Sequence, residues 1–203
     1  FVLFDEYGEI NRIVQLCKKS CEMPIDKLSC FFNVKIESVC FEVGRFIGEN
    51  GEVLVYEPTR IVSKRVAGYF DLIGEVDHSR LTKFMNKSDP SIDYYSKLYH
   101  QVLKFDNDAQ IFLFLYNMLL KFSGDSQECV DQKIRDVYPA VPNFIAKVKG
   151  KDILETLFTR LRNEVGHNRK NASFLSTSSE ISRNLKKFQD VVRKIIFKIE
   201  IGS

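Results

Sequence analysis

The order of apolar and polar positions gives this chain two regions of different character. Over residues 10–22 the positions Ile10, Ile13, Val14, Leu16 and Cys17 cluster at helical spacing, which predicts a helix near the start. Phe31 to Phe46 and Val53 to Val66 are instead rich in Val, Ile, Phe and Tyr with partial alternation, as strands are. Gly48-Glu49-Asn50-Gly51 stands between them, and Asn-Gly is the favoured pair of a two-residue hairpin turn. A small antiparallel sheet is therefore expected in this part.

Beyond Asp89-Pro90-Ser91 the period becomes helical. Ile92, Tyr95, Leu98, Tyr99, Val102 and Leu103 form one apolar stripe, which predicts a helix over 92–105. The next segment, 108–122, is apolar nearly all round and should be the central buried helix. Gly124 should stop it, and Asp125 or Ser126 can cap a third helix that runs to Pro139. Pro139 and Pro142 mark a connection, and Lys149-Gly150-Lys151 begins a turn into a fourth helix over 152–166. The polar, Ser-rich stretch 168–179 reads as a loop, and a last amphipathic helix closes the chain over 180–199. The fold expected is mainly α: a bundle of four to five helices in residues 89–203 behind a small α/β region with an antiparallel sheet in 1–88.

Composition agrees with a folded domain, since 44% hydrophobic and 28% charged residues are ordinary values for a globular chain. The longest apolar run, Ile111 to Leu120, is half the length of a membrane span, so no membrane partner is expected. Five cysteines, with Cys17, Cys21, Cys30 and Cys40 early in the chain, lack the paired spacing of a zinc site. They read as reduced, mostly buried thiols, so a cytoplasmic location is expected, with no metal and no cofactor.

Charge is uneven. From Lys147 onward there are 13 Lys and Arg against 6 Asp and Glu, whereas the preceding residues hold 17 against 21. Basic charge gathered in one part suits a polyanion-binding surface, and a solvated pair of Lys/Arg-rich helices is the plainer alternative.

That basic part contains Arg162-Asn163-Glu164-Val165-Gly166-His167. An arginine can clamp phosphate oxygens and a histidine can move a proton near neutral pH, a combination suited to phosphodiester chemistry. On the fourth helix Leu154, Phe158, Leu161 and Val165 should make the core stripe. At about 100° per residue, Asn163 and His167 then share the opposite face, so neither should be a satisfied core residue of its own subunit. Arg162 lies roughly 140° round from His167, so the two cannot meet unless the helix end distorts at Gly166 or a second copy contributes. His100 is expected at the surface. No Gly-rich phosphate loop, HExxH or GxSxG pattern occurs, and no set of acids suggests a metal nuclease.

The run Arg162 to His167 resembles the signature of the HEPN superfamily, an Arg with a polar residue beside it and a His a short gap later. The wider run Phe158 to Arg169 is similar to the MauJ-like and Apea-like branches, and Ile111 to Leu120 resembles the hydrophobic helix those branches carry upstream. The resemblance covers roughly 90–200. It implies a HEPN-like four- or five-helix bundle that forms a homodimer with a metal-independent, RNA-cleaving site at the interface. The settings it implies are toxin–antitoxin pairs and phage defence, so an antitoxin or regulatory protein joins RNA among the expected partners.

Carried over, Arg162 would stabilise the scissile phosphate and His167 would act as general base or acid. Asn163 would hydrogen-bond the phosphate or fix the His tautomer. Arg160, Arg169 and Lys170 would hold substrate phosphates. Some HEPN toxins carry a modifiable Tyr two residues after the His; here that position is Arg169, so regulation of that kind is not expected. The alternatives are a non-catalytic HEPN-like module that binds RNA or nucleotide, or dimerises within a larger complex, and a structural domain whose basic face meets an acidic protein.

Overall fold

Helix α4 (Asp108–Phe122) is the axis of the core. In a computed structural model, which describes residues 6–36, 44–47, 53–56, 78–148, 150–167 and 174–199, it buries Ala109, Ile111, Phe112, Leu115, Tyr116, Met118 and Leu119. Its start is set by Asn107, whose side-chain oxygen accepts from the amides of Ala109 and Gln110 at 2.9 and 3.1 Å. It ends at Gly124, which adopts φ +69°, while the amide of Asp125 donates back to the Leu120 carbonyl at 2.8 Å. Both limits agree with the sequence pattern.

Around it stand α3 (Pro90–Val102), α5 (Gln127–Val137), α6 (Leu157–His167) and α7 (Phe174–Val192). Asp89 caps α3, with Pro90 in its first turn, and Ser126 caps α5. The centre is aromatic: the Phe188 ring of α7 lies 4.7 Å from Phe112 of α4 and 4.6 Å from Phe158 of α6, centroid to centroid. All three rings are buried, each contributing about 1.5–3 kcal/mol by burial. Among the described residues five α-helices lie between 90 and 199, within the four to five expected, and the described chain is mainly helical.

Several local expectations do not hold. The first helix, α1 (Glu6–Phe32), runs well past residue 22 with Pro24 inside it, so Phe31 and Phe32 are helical rather than extended. Tertiary contacts explain why. Buried Arg193 donates to the carbonyls of Cys30 (2.8 Å, from Nε) and Phe31, satisfying groups that a helix end leaves open. Asn33 then closes the helix at φ +55°. Upstream, the buried Lys27 ammonium donates to the carbonyls of Met85 (3.2 Å) and Lys87 (2.9 Å), holding α1 to the end of a short α2 (His78–Met85).

The small antiparallel sheet is present as β1 (Gly44–Ile47) and β2 (Val53–Tyr56), paired with Gly44 opposite Tyr56 and Ile47 opposite Val53. The Asn50-Gly51 turn and the rest of the extended stretches expected up to residue 66 lie outside the described residues.

A second hairpin was not expected. Residues 152–156 are not the start of a helix but most of strand β4 (Lys151–Thr156), which pairs antiparallel with β3 (Asn143–Val148). Gly150, at φ +78°, makes the tight turn between them. Leu154 therefore stands on a strand, 54% exposed, beside the 72% exposed Ile145 opposite it; of the four stripe residues expected, Phe158, Leu161 and Val165 pack from α6, joined there by Leu157.

Two more corrections concern the ends of the bundle. Helix α7 begins at Phe174, so residues 174–179 are helical and not loop. It closes in a π-helical turn, Arg193–Phe197, followed by Lys198 at φ +53°. His100 is buried on α3 rather than at the surface: Nδ1 lies 2.6 Å from the Asp26 carboxylate, and Nε2 donates to the Ile36 carbonyl at 2.7 Å. It ties α3 to α1 and to the chain beyond it. Among the described residues no helix is long and apolar enough to cross a membrane.

Candidate functional site

The strand-to-helix corner between β4 and α6 organises the site. Thr156 is the last strand residue, and its hydroxyl accepts from the Thr159 amide at 3.4 Å, the geometry of a helix N-cap. Asp131 of α5 reaches the same corner. One of its carboxylate oxygens accepts from the Thr156 amide (3.0 Å), the Thr156 hydroxyl (2.6 Å) and the Thr159 hydroxyl (2.6 Å). A carboxylate at a helix N-terminus is also favoured by the helix dipole. Because the Thr159 proton points to Asp131, the Tyr116 hydroxyl donates to Thr159, at 2.8 Å. Burial pushes the Tyr116 phenol well above its usual range, with Thr159 and Arg162 opposing the shift.

This network is almost dry: Asp131, Glu155, Thr156, Thr159 and Asn163 are all buried. Arg162 and Asn163 extend it one helical turn further. Arg162 donates from Nη1 to Asn163 Oδ1 at 2.9 Å, and Asn163 Nδ2 donates to the Glu155 carboxylate at 3.1 Å. The Arg162 guanidinium carbon lies 5.7 Å from the centroid of the Tyr116 ring. Arg162 itself is partly buried, and Asn163 ties its guanidinium to the buried Glu155 carboxylate.

Asn163 thus departs from expectation. It is 6% exposed and both ends of its amide are engaged within its own subunit, so it neither reaches for a phosphate nor faces solvent. The cause is the β3–β4 hairpin, which lays Glu155 over the face of α6 that an all-helical reading leaves bare.

Arg160 also has internal partners. It forms ion pairs with Glu164 (3.4 Å) and Glu180, and its guanidinium stacks 4.3 Å from the Phe144 ring. Glu164 in turn accepts from the Thr177 hydroxyl at 2.9 Å, so this cluster fastens α6 to α7. Its cation is compensated by two carboxylates, a poor starting point for holding a substrate phosphate. With Arg193 buried under α1, two of the basic residues counted in the charged part serve the fold. His167 is the last residue of α6; its side chain, and Arg169 and Lys170, lie outside the described residues.

Among the described residues no group of three or more His, Cys, Asp or Glu could hold a metal ion. Three cysteines are described as free thiols: Cys30 is buried, Cys21 half-buried and Cys129 exposed, so burial is not their common feature. Burial pushes the Cys30 thiol well up, and the charge of Arg193 opposes that.

Glu155, Asp131, Thr156, Thr159 and Tyr116 carry the site's internal structure and were not singled out from the sequence. A signal for two of them exists: Glu155 and Thr159 precede Asn163 and His167 at steps of four, beside the apolar series. No family model, no curated protein and no solved structure matches this chain.

Proposed function

We propose that this protein is a metal-independent endoribonuclease with a composite site formed by two copies of the chain. The observation that carries the reading is Arg162: a partly buried guanidinium tied to the buried Asn163–Glu155 pair, five positions before a histidine that ends the same helix. Electrostatic catalysis asks for a cation fixed before charge develops, because a cation that must reorganise loses much of its effect.

In the reaction proposed, His167 of one copy takes the proton of a ribose 2′-OH, whose oxygen forms a bond to the adjacent phosphorus. The bond to the 5′-oxygen breaks, and that oxygen takes a proton from the His167 imidazolium of the second copy. Arg162 offsets charge on the non-bridging oxygens. The products are a 2′,3′-cyclic phosphate and a 5′-hydroxyl, and DNA is resistant because it lacks the nucleophile. Asn163 acts through Arg162 as a positioning residue. A toxin–antitoxin or phage-defence role, with an antitoxin or regulatory protein as partner, rests on the HEPN resemblance alone.

A second reading, a HEPN-like module that binds RNA without cutting it, draws on the internal engagement of Asn163 and Arg160. Purified protein incubated with RNA in EDTA separates the two. Cleavage that is lost in both Arg162→Ala and His167→Ala supports the nuclease; binding with intact RNA supports the module. Sedimentation of the wild type tests the composite site, which a strict monomer cannot form.

A further inference from the structure

Away from the β4–α6 corner, the ends of α1, α2 and the π-helical turn enclose a cavity of about 310 Å³. Its apolar lining is Phe31, Phe84, Phe197 and Ile199, and its polar lining is Arg80, Lys83, Lys87 and Lys198. No acidic side chain among the described residues lines it. Phe84 joins the other two rings, 5.8 Å from Phe31 and 6.2 Å from Phe197. The volume falls at the lower end of the range for small-molecule pockets.

We propose that this cavity binds an organic phosphate whose body is a flat ring system. Three aromatic rings offer a surface for such a body, and the basic residues Lys83, Lys87 and Lys198 line the same cavity and suit an anionic head. The cations are not needed to cap α2. The carbonyls of Met85 and Lys87 already accept from Lys27, which also lies 3.0 Å from the Asp93 carboxylate.

The backbone supplies a second, independent observation. π-helical turns are rare and recur at functional sites, and the one here delivers Phe197 to the cavity wall. Lys198 follows at φ +53°, a left-handed conformation that glycine adopts more readily than lysine. A lysine there gives the cavity a cation where glycine would give the backbone an easier turn.

The inference is independent of Arg162 and of nuclease activity. Its test is a calorimetric titration of the whole chain with 1-naphthyl phosphate, run beside inorganic phosphate, 1-naphthol and dodecyl phosphate. Saturable 1:1 binding, at least tenfold tighter than any of the other three, is the expected result. Lys198→Gly keeps the backbone relaxed, and Lys83→Ala lies on the exposed side of α2, so neither threatens the fold. The double variant should melt no lower than the wild type and bind at least tenfold more weakly. No saturable binding at about 1 mM ligand, equal binding of 1-naphthol, tighter binding of dodecyl phosphate, or a double variant that binds like the wild type would each overturn the proposal.

Discussion

Arg162 donates to its own chain neighbour, Asn163, at 2.9 Å, and Asn163 passes that constraint to Glu155 across the strand-to-helix corner. A partly buried cation is thereby linked to a buried carboxylate with an amide between them. In Asn163→Ala the Glu155 carboxylate loses the Asn163 donor and Arg162 loses its bond to Asn163. Urea denaturation should show a loss of about 1–3 kcal/mol. Asn163→Asp should be worse, because it sets a second carboxylate beside a buried one. A variant as stable as the wild type would mean that the amide holds nothing.

Asp131 accepts three hydrogen bonds on one oxygen and serves both the strand end and the helix start. Asp131→Ala should lower stability by about 3 kcal/mol or more, leaving two buried hydroxyls and an amide without their acceptor. Hydrogen exchange should show the first turn of α6 opening before the rest of the helix.

Tyr116 predicts an alkaline limit. Its folded pKa is raised above the unfolded value near 10, so the unfolded chain releases this proton first as pH rises. Its contribution is fully present below pH ~10 and is lost as pH climbs from there towards the folded pKa, at up to about 1.4 kcal/mol per pH unit. Tyr99 and Cys30 are shifted upward by burial too, so part of the slope remains without Tyr116. Tyr116→Phe should lose about 1 kcal/mol at neutral pH, from the bond to Thr159, and fall less steeply above pH ~10. Urea midpoints from pH 8 to 11 measure both.

Arg193 predicts that the end of α1 depends on the far end of the chain. Arg193→Met leaves the Cys30 and Phe31 carbonyls without their donor and should lower stability by about 2–4 kcal/mol. Exchange protection should fall at the C-terminal turns of α1 as well as at the site of substitution.

Which features could be read beforehand follows from how local their causes are. Helix α4 was legible to the residue, because Asn107, the apolar run and Gly124 are all local signals. The length of α1 was not, because Arg193 reaches its last turn from the far end of the chain and Lys27 within it finds its partners at Met85 and Lys87. The β3–β4 hairpin was missed for another reason. Leu154, Phe158, Leu161 and Val165 fit a helical period, while Thr156, which starts the helix, resembles any other polar residue until Asp131 is placed beside it. The same error made Asn163 look exposed. The Arg162-to-His167 run was visible at once; the buried Glu155 that orients its arginine was not.

The central claim is that Arg162 is held in place to act on RNA, and one measurement tests it most directly. An RNA oligonucleotide carrying a single 2′-deoxy substitution at the cleaved position is compared with its all-ribose parent, in EDTA, for the wild type, Arg162→Ala, Asn163→Ala and His167→Ala. The wild type should cut only the parent, leaving a 2′,3′-cyclic phosphate. His167→Ala should be slower by about 10²–10⁴, Arg162→Ala by about 10²–10³, and Asn163→Ala should fall between Arg162→Ala and the wild type. A parent RNA left intact by a folded wild-type dimer, or cleavage unaltered by Arg162→Ala, would contradict the account.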